Sequence, residues 1–138
     1  MPSGKNPMTN TKVKLIASLI CEAATIDQQN RAIIFGIFSQ INTPQLPATH
    51  PQFSVFTVWS GVVGEKHNQQ LKIIAPSGKI ILETPQMPFE IGRPHASLIS
   101  QFRLMRFDEF GIYKVQIILD EKVENEIDLE VLQVRRDA

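Results

Sequence analysis

The feature that most constrains the fold lies near the C-terminus, where Gly111 and Tyr113 open an apolar segment. The glycine indicates a turn, and from the tyrosine onward apolar side chains recur at every second position. These positions are Tyr113, Val115, Ile117 and Leu119. Because successive side chains of a β-strand point to opposite faces, the spacing predicts a strand that buries one face.

A tyrosine placed just after such a glycine resembles the tyrosine corner of Greek-key β-sandwiches. In that motif the phenol hydroxyl bonds back to the backbone a few residues upstream. We therefore expect the hydroxyl of Tyr113 to bond to the preceding turn. The motif constrains architecture only, because β-sandwiches carry many unrelated functions.

Short apolar segments separated by turn signals recur along the chain, which is typical of an all-β sandwich or barrel. We predict strands near 13–22, 31–41, 53–60, 70–75, 79–84, 96–106, 111–119 and 124–134. Pro76 and Gly78 predict a tight hairpin between the fourth and fifth of these. The segment from Gln86 to Ile91, after Pro85, indicates a short edge strand limited by prolines. The predicted fold is an immunoglobulin-like, two-sheet antiparallel sandwich of about eight strands.

The length of 138 residues suits one domain with its own core. Residues 1–11 are polar and contain two prolines, so we predict an arm outside that core. Either Met1 or Met8 fits as the natural start. The domain is predicted to span 12–135, followed by a short tail at 136–138.

Charge content limits the classes of binding partner, and cysteine content indicates the cellular compartment. Fourteen basic residues balance fourteen acidic ones, which argues against a nucleic acid or an anionic membrane bound through bulk charge. No apolar stretch is long enough to cross a bilayer.

The single cysteine, Cys21, rules out an internal disulfide and suits a reducing compartment. The apolar run before it is shorter than a secretory leader needs. We predict a cytoplasmic location, with export as the alternative.

Three early strands differ from the others because apolar residues occupy both of their faces. A sandwich in water needs only one apolar face per strand, so something must cover the second. The candidate interface residues are Ile16, Ile20, Ile34, Phe38, Phe56 and Val58. Loops or the arm 1–11 could cover them, as could a second copy of the chain or another protein. A hydrophobic ligand is the third explanation.

The segment 43–52 carries three prolines, which stiffen it. One interpretation is a crossover between the two sheets. The other is a binding loop that presents Thr49 and His50, and with Trp59 could hold a small molecule or glycan.

Catalytic signals are weak. The three histidines show no metal-ligand spacing, and His67 lies in a polar stretch that predicts an exposed side chain. Cys21 follows an apolar run without neighbouring positive charge, which predicts a buried, unreactive thiol. No phosphate loop or nucleophile elbow is present. We assign no catalytic residue, cofactor or metal ligand.

Several ordered segments together resemble a family of small uncharacterised bacterial β-sandwich proteins. They are Leu15–Cys21, Ile34–Phe38, Pro47–Pro51, Phe53–Phe56 and Gly111–Tyr113. The resemblance covers roughly residues 13–134 and implies the fold, but no activity. The chain departs from the pattern at Asp120–Lys122, where a turn containing glycine would be usual.

These observations predict a non-enzymatic protein-interaction or assembly module that binds itself or another protein. The alternative is a small-molecule or glycan-binding sandwich that uses the 43–52 loop. An enzyme of unrecognised type is the third hypothesis.

Overall fold

The computed structural model describes residues 13–93 and 95–135. The predicted arm (1–11) and tail (136–138) therefore lie outside the described residues, as does position 12, where the domain was predicted to begin. Ten strands and no helix occur in the described part. They are β1 (Lys14–Ile26), β2 (Ala32–Ile37), β3 (Gln40–Thr43), β4 (Ala48–Ser60), β5 (Lys66–Ile74), β6 (Ile80–Glu83), β7 (Met87–Glu90), β8 (Ala96–Phe107), β9 (Gly111–Leu119) and β10 (Lys122–Gln133).

The strands form two sheets. The small sheet has four strands in the order β2-β1-β4-β8. The large sheet has six, in the order β3-β10-β9-β5-β6, with β7 pairing with β5 as well. All pairs are antiparallel except β3 with β10, which is parallel. The predicted all-β, immunoglobulin-like sandwich is confirmed, with ten strands instead of eight.

The extra strands arise where the chain changes sheets. The segment predicted as one strand over 31–41 divides into β2 and β3, which belong to opposite sheets. Gly36 lies at this break with a φ of 63°, a conformation that favours glycine. The N–H of Phe38 still bonds to Ile20 of the small sheet, at 3.0 Å. The carbonyl of Ser39 already accepts from Glu130 of the large sheet, at 2.9 Å.

The 43–52 segment is both a crossover and the start of a strand. It passes from β3 in the large sheet to β4 in the small one, and β4 already begins at Ala48. Pro51 lies within β4 but has no partner in the register with β8. Leu104, between the flanking partners on β8, takes a φ of 53°. A local irregularity thus accommodates the proline, which cannot donate to the ladder.

The core lies between the sheets and contains the predicted tyrosine corner. The hydroxyl of Tyr113 donates to the carbonyl oxygen of Glu109 at 2.9 Å and accepts from its N–H at 3.0 Å. The tyrosine ring is fully buried and meets Phe107 edge-on, with 5.1 Å between centroids. Burial raises the pKa of the phenol. The corner is confirmed, and it joins β9 to the turn after β8.

Two further predictions about turns and edges are confirmed. Gly78 closes the hairpin between β5 and β6 with a φ of 95°, and Ala75 N–H bonds to the carbonyl of Lys79. The proline-limited edge strand exists as β7. The last hairpin, without a glycine, holds both Asp120 and Glu121 at positive φ, 48° and 71°. Two such residues in succession are typical of the type I′ turn that suits strand twist.

Candidate functional site

The outer face of the small sheet is apolar, and we call it the apolar face. Residues opposite each other in an antiparallel pair share a face, so the register defines its members. They are Ile33, Phe35 and Ile37 of β2; Ala17, Leu19, Cys21, Ala23 and Thr25 of β1; Ser54, Phe56 and Val58 of β4; and Ser97, Ile99 and Gln101 of β8. None of these side chains is charged, but the same register places Lys14, opposite Ser60, and Arg103, opposite Gln52, at the two ends of this face.

Exposure across this face is uneven. Phe56 is 6% exposed and Cys21 is fully buried, so neighbouring side chains already cover the centre. On β2, by contrast, Phe35 is 54% and Ile37 65% exposed, and Ile33 is also exposed. The apolar surface that remains open therefore concentrates at one edge of the small sheet.

The placement of the candidate interface residues on β1 needs correction. Leu15 pairs with Trp59, but the next pair joins Ala17 to Val58, so Ile16 is an extra residue in a bulge. A bulge shifts the alternation of all later side chains. Ile20 consequently lies in the core at 1% exposure, and Leu19 takes the outer position. Ile20 as an interface residue was wrong; Ile16 is exposed.

The placement on β2 also needs correction. Ile34 and Phe38 were expected on the outer face, but the exposed residues are their odd-numbered neighbours. Phe38 packs against the core and stacks on His50, with 5.4 Å between ring centroids. Ile34 is half-buried opposite Ala24. Both residues face the core side because side chains alternate along a strand, and Ile33, Phe35 and Ile37 take the outer positions.

On β4 the expected faces hold for Phe56 and Val58, which lie outward, opposite Leu19 and Ala17. Their role in an interface stays a prediction. Phe56 is too well covered to offer much contact area by itself, whereas Val58 is half-buried.

The candidate ligand loop does not come together. Thr49 is exposed, and His50 is mostly covered by Phe38 and Phe53. Trp59 lies ten positions after Thr49 on the same strand, roughly 33 Å from it at the usual rise per residue. Its ring is fully buried, and its Nε1 donates to Oε1 of Gln69 at 2.7 Å. Trp59 as a ligand residue beside this loop was wrong, because its indole lies in the core.

Sequence reasoning missed one polar cluster. The ring of His67, predicted to be exposed, is mostly buried against Phe89, which stacks on Trp59. Its Nδ1 lies 2.6 Å from Oδ2 of Asp120, and its Nε2 lies 3.4 Å from Oε1 of Glu65. The unusual turn at Asp120 was the signal that could have pointed to it, since this carboxylate also accepts from the N–H of Asn68.

The electrostatics of this cluster favour a charged pair. Burial opposes protonation of His67, but hydrogen bonds and charge from Asp120 and Glu65 outweigh it and raise the histidine pKa. Burial likewise opposes ionisation of Asp120, yet the bonds from His67 and Asn68 lower its pKa. The cluster ties the start of β5 to the β9–β10 turn. No nucleophile contacts it among the hydrogen bonds of the described residues, so it reads as a structural link.

The remaining chemistry is limited. Cys21 is fully buried in the sheet, and burial raises the pKa of its thiol, which makes it a poor nucleophile. Across residues 13–93 and 95–135, no three His, Cys, Asp or Glu side chains are grouped so as to hold a metal ion. Within the same ranges no helix has the length and apolarity that crossing a bilayer requires.

Comparison with known proteins identifies the family. Residues 16–132 match the family of unknown function DUF6941. The protein is a member of the DUF6941 family. This confirms the resemblance to an uncharacterised domain family, and the match covers most of the chain. No curated protein matches the sequence.

Solved structures similar to this DUF6941 protein share its fold. An immunoglobulin-like protein from Pseudomonas aeruginosa superposes with a TM-score of 0.52 at 12% identity, covering 90% of this chain and 99% of the other. An alkylpurine DNA glycosylase from Pseudomonas fluorescens, bound to DNA with an abasic-site analogue, gives 0.53 at 9% identity, over 88% of this chain and 30% of that one. A β-glucosidase from Listeria innocua, in complex with glucose, gives 0.52 at 9% identity, over 88% and 16%. This chain therefore spans less than a third of either enzyme, and identities this low show the fold alone.

Proposed function

We propose that the domain is a non-enzymatic interaction module that assembles with copies of itself through the apolar face. The observation that carries this proposal is the exposure of Phe35 and Ile37, with Ile33 beside them, on a part of the face that carries no charge. Burying a large apolar side chain completely is worth roughly 1.5–3 kcal/mol. A partner that covers these three residues would gain free energy by burying the apolar surface that is still exposed in the isolated domain.

A second copy fits this surface better than a charged partner. In a two-fold dimer the same patch meets itself, so any charge near the axis would face a like charge. The apolar face carries none beside β2, since Lys14 and Arg103 lie on parts of β1 and β8 that do not pair with β2. The overall balance of 14 basic and 14 acidic residues also leaves no long-range repulsion between copies.

The rival functions have less support. A glycan site would need an exposed aromatic platform, but Trp59 is buried in the core. The glycosylase and the glucosidase with similar folds differ from this chain at nine positions in ten, and the neutral charge does not favour nucleic acid. The unpaired Cys21 supports a reducing compartment such as the cytoplasm, and the resemblance to small bacterial proteins supports a bacterial source.

Light scattering during size-exclusion chromatography tests the proposal. We expect the parent to be a dimer or larger at a protein concentration of about 100 µM. A dimer Kd of about 100 µM corresponds to a binding free energy of about −5.5 kcal/mol. Ile37→Glu should be a folded monomer, because an unpaired charge in an interface costs several kcal/mol. Ile80→Glu is the matched control, since Ile80 is 48% exposed on β6 of the large sheet. A monomeric parent at this concentration would contradict self-assembly.

A further inference from the structure

The four outer edges of the sandwich are not equally protected against pairing. Natural sheets guard their edges with charge, proline, bulges or very short strands. Among the described strands, β8 carries Arg103, Arg106 and the irregularity at Leu104. On the large sheet, β3 and β6 have only four residues each, and β7 contains Pro88.

The edge strand β2 lacks these devices except for a local irregularity at Gly36, which has a φ of 63° and no partner in the register with β1. Its sequence, Ala-Ile-Ile-Phe-Gly-Ile, contains no charge and no proline. It ends the small sheet, and no described strand lies on its outer side. An apolar edge of this kind presents unpaired N–H and C=O groups as a template for another strand.

The hydrogen-bond pattern shows which backbone groups point outward. Asp27 N–H donates to the carbonyl of Arg31 at 2.8 Å, at the end of the β1–β2 hairpin. Bonded and non-bonded pairs alternate along an antiparallel ladder. Counting from Arg31, Ile33 and Phe35 point their backbone groups toward β1, and those of Ile34 point to the free edge.

We propose that β2 pairs antiparallel with β2 of a second copy, so that the two small sheets join into one continuous sheet. The proposal rests on the self-assembly argued above and specifies its geometry as edge to edge. A two-fold axis beside Phe35 would place this residue opposite its own copy, and Ile33 opposite Ile37 of that copy. Each of the three exposed side chains would then contact an apolar cross-strand neighbour, and no like charges would meet.

A second copy is a better occupant than the preceding segment of the same chain. Residues 1–12 hold Met1 and Met8 as their only large apolar residues, together with two prolines. Proline cannot continue a ladder, and polar side chains would leave the apolar strip of β2 uncovered. The strand itself supplies the complementary surface.

A proline substitution tests the edge without adding charge. Ile34→Pro removes the outward N–H while sparing the bonds to β1. We expect light scattering to show a monomer, with the dimer Kd raised at least about a hundred-fold, and near-ultraviolet circular dichroism to show a retained fold. Ile34→Val, which keeps the N–H, should remain dimeric. A folded Ile34→Pro that still dimerises like the parent would overturn the edge pairing and leave face-to-face assembly in place.

Cross-linking gives an independent answer, and it decides alone if Ile34→Pro fails to fold. Phe35 would form a non-hydrogen-bonded pair with its copy, at the Cα separation of about 4.5 Å that a disulfide can bridge. Phe35→Cys should therefore give a covalent dimer on mild oxidation. Ile80→Cys and the parent, whose Cys21 is buried, should not. A dimeric Phe35→Cys that does not cross-link contradicts the edge pairing, whereas a monomeric parent contradicts self-assembly as well.

Discussion

Nδ1 of His67 lies 2.6 Å from Oδ2 of Asp120, a contact between residues 53 positions apart in the chain. It joins the first residues of β5 to the turn between β9 and β10. Asp120 also exchanges two hydrogen bonds with the backbone of Asn68, each 2.9 Å long. The carboxylate therefore holds both a side chain and a strand end.

This contact predicts a pH dependence of stability. The pKa of His67 is raised in the folded state, so its contribution is complete below the ordinary histidine pKa of about 6.5 and is lost as pH rises through the raised value. The pKa of Asp120 is lowered, so its contribution is present above about 3.9 and is lost as pH falls through the lowered value.

We therefore expect the parent to lose stability on going from about pH 6 to pH 8, measured by urea unfolding at each pH. His67→Gln should lack this part of the slope. His95→Gln, at an exposed histidine of another connection, is the control and should behave like the parent. Parallel pH profiles for the parent and His67→Gln would contradict the assignment.

The tyrosine corner gives a second prediction. Tyr113→Phe keeps the ring but leaves the N–H and carbonyl of Glu109 without their shared partner. The expected loss is about 1–3 kcal/mol of unfolding free energy, with the fold retained. Chemical denaturation measures it directly. A variant as stable as the parent would show that the hydroxyl contributes nothing to folding.

A third prediction concerns Cys21, which is buried on β1 with a raised thiol pKa. It should resist a thiol reagent such as DTNB in the native protein and react after denaturation. Ile80→Cys supplies an exposed thiol as the control and should add one rapidly reacting group. Immediate labelling of the native parent would reopen a reactive role for Cys21.

A fourth prediction separates the centre of the apolar face from its edge. Phe56 is 6% exposed, so Phe56→Glu would bury an unpaired charge and should cost several kcal/mol or unfold the domain. Phe35 is 54% exposed, and Phe35→Glu should leave the stability of the isolated monomer within about 0.5 kcal/mol. Thermal unfolding at low protein concentration distinguishes the two. Equal losses in both variants would show that the edge is covered.

The sequence predicts the sandwich well because its signals are local. The corner at Tyr113 and the hairpin at Gly78 depend on residues a few positions apart. The face assignment failed where one residue changed the count: the bulge at Ile16 reverses every later side chain of β1, and nothing in an apolar run shows where a bulge lies. The pairing of His67 with Asp120 was invisible for a different reason, since only the packed sheets bring the two together.

Phe38 and Ser39 are joined by one peptide bond, yet the first is bonded to the small sheet and the second to the large one. This single step is a covalent tie between the two layers. At that point the layers cannot slide past each other or hinge apart unless one of the two hydrogen bonds breaks. A partner that binds beside β2 therefore contacts a strand whose chain is hydrogen-bonded to the large sheet at Ser39, two residues after the strand ends.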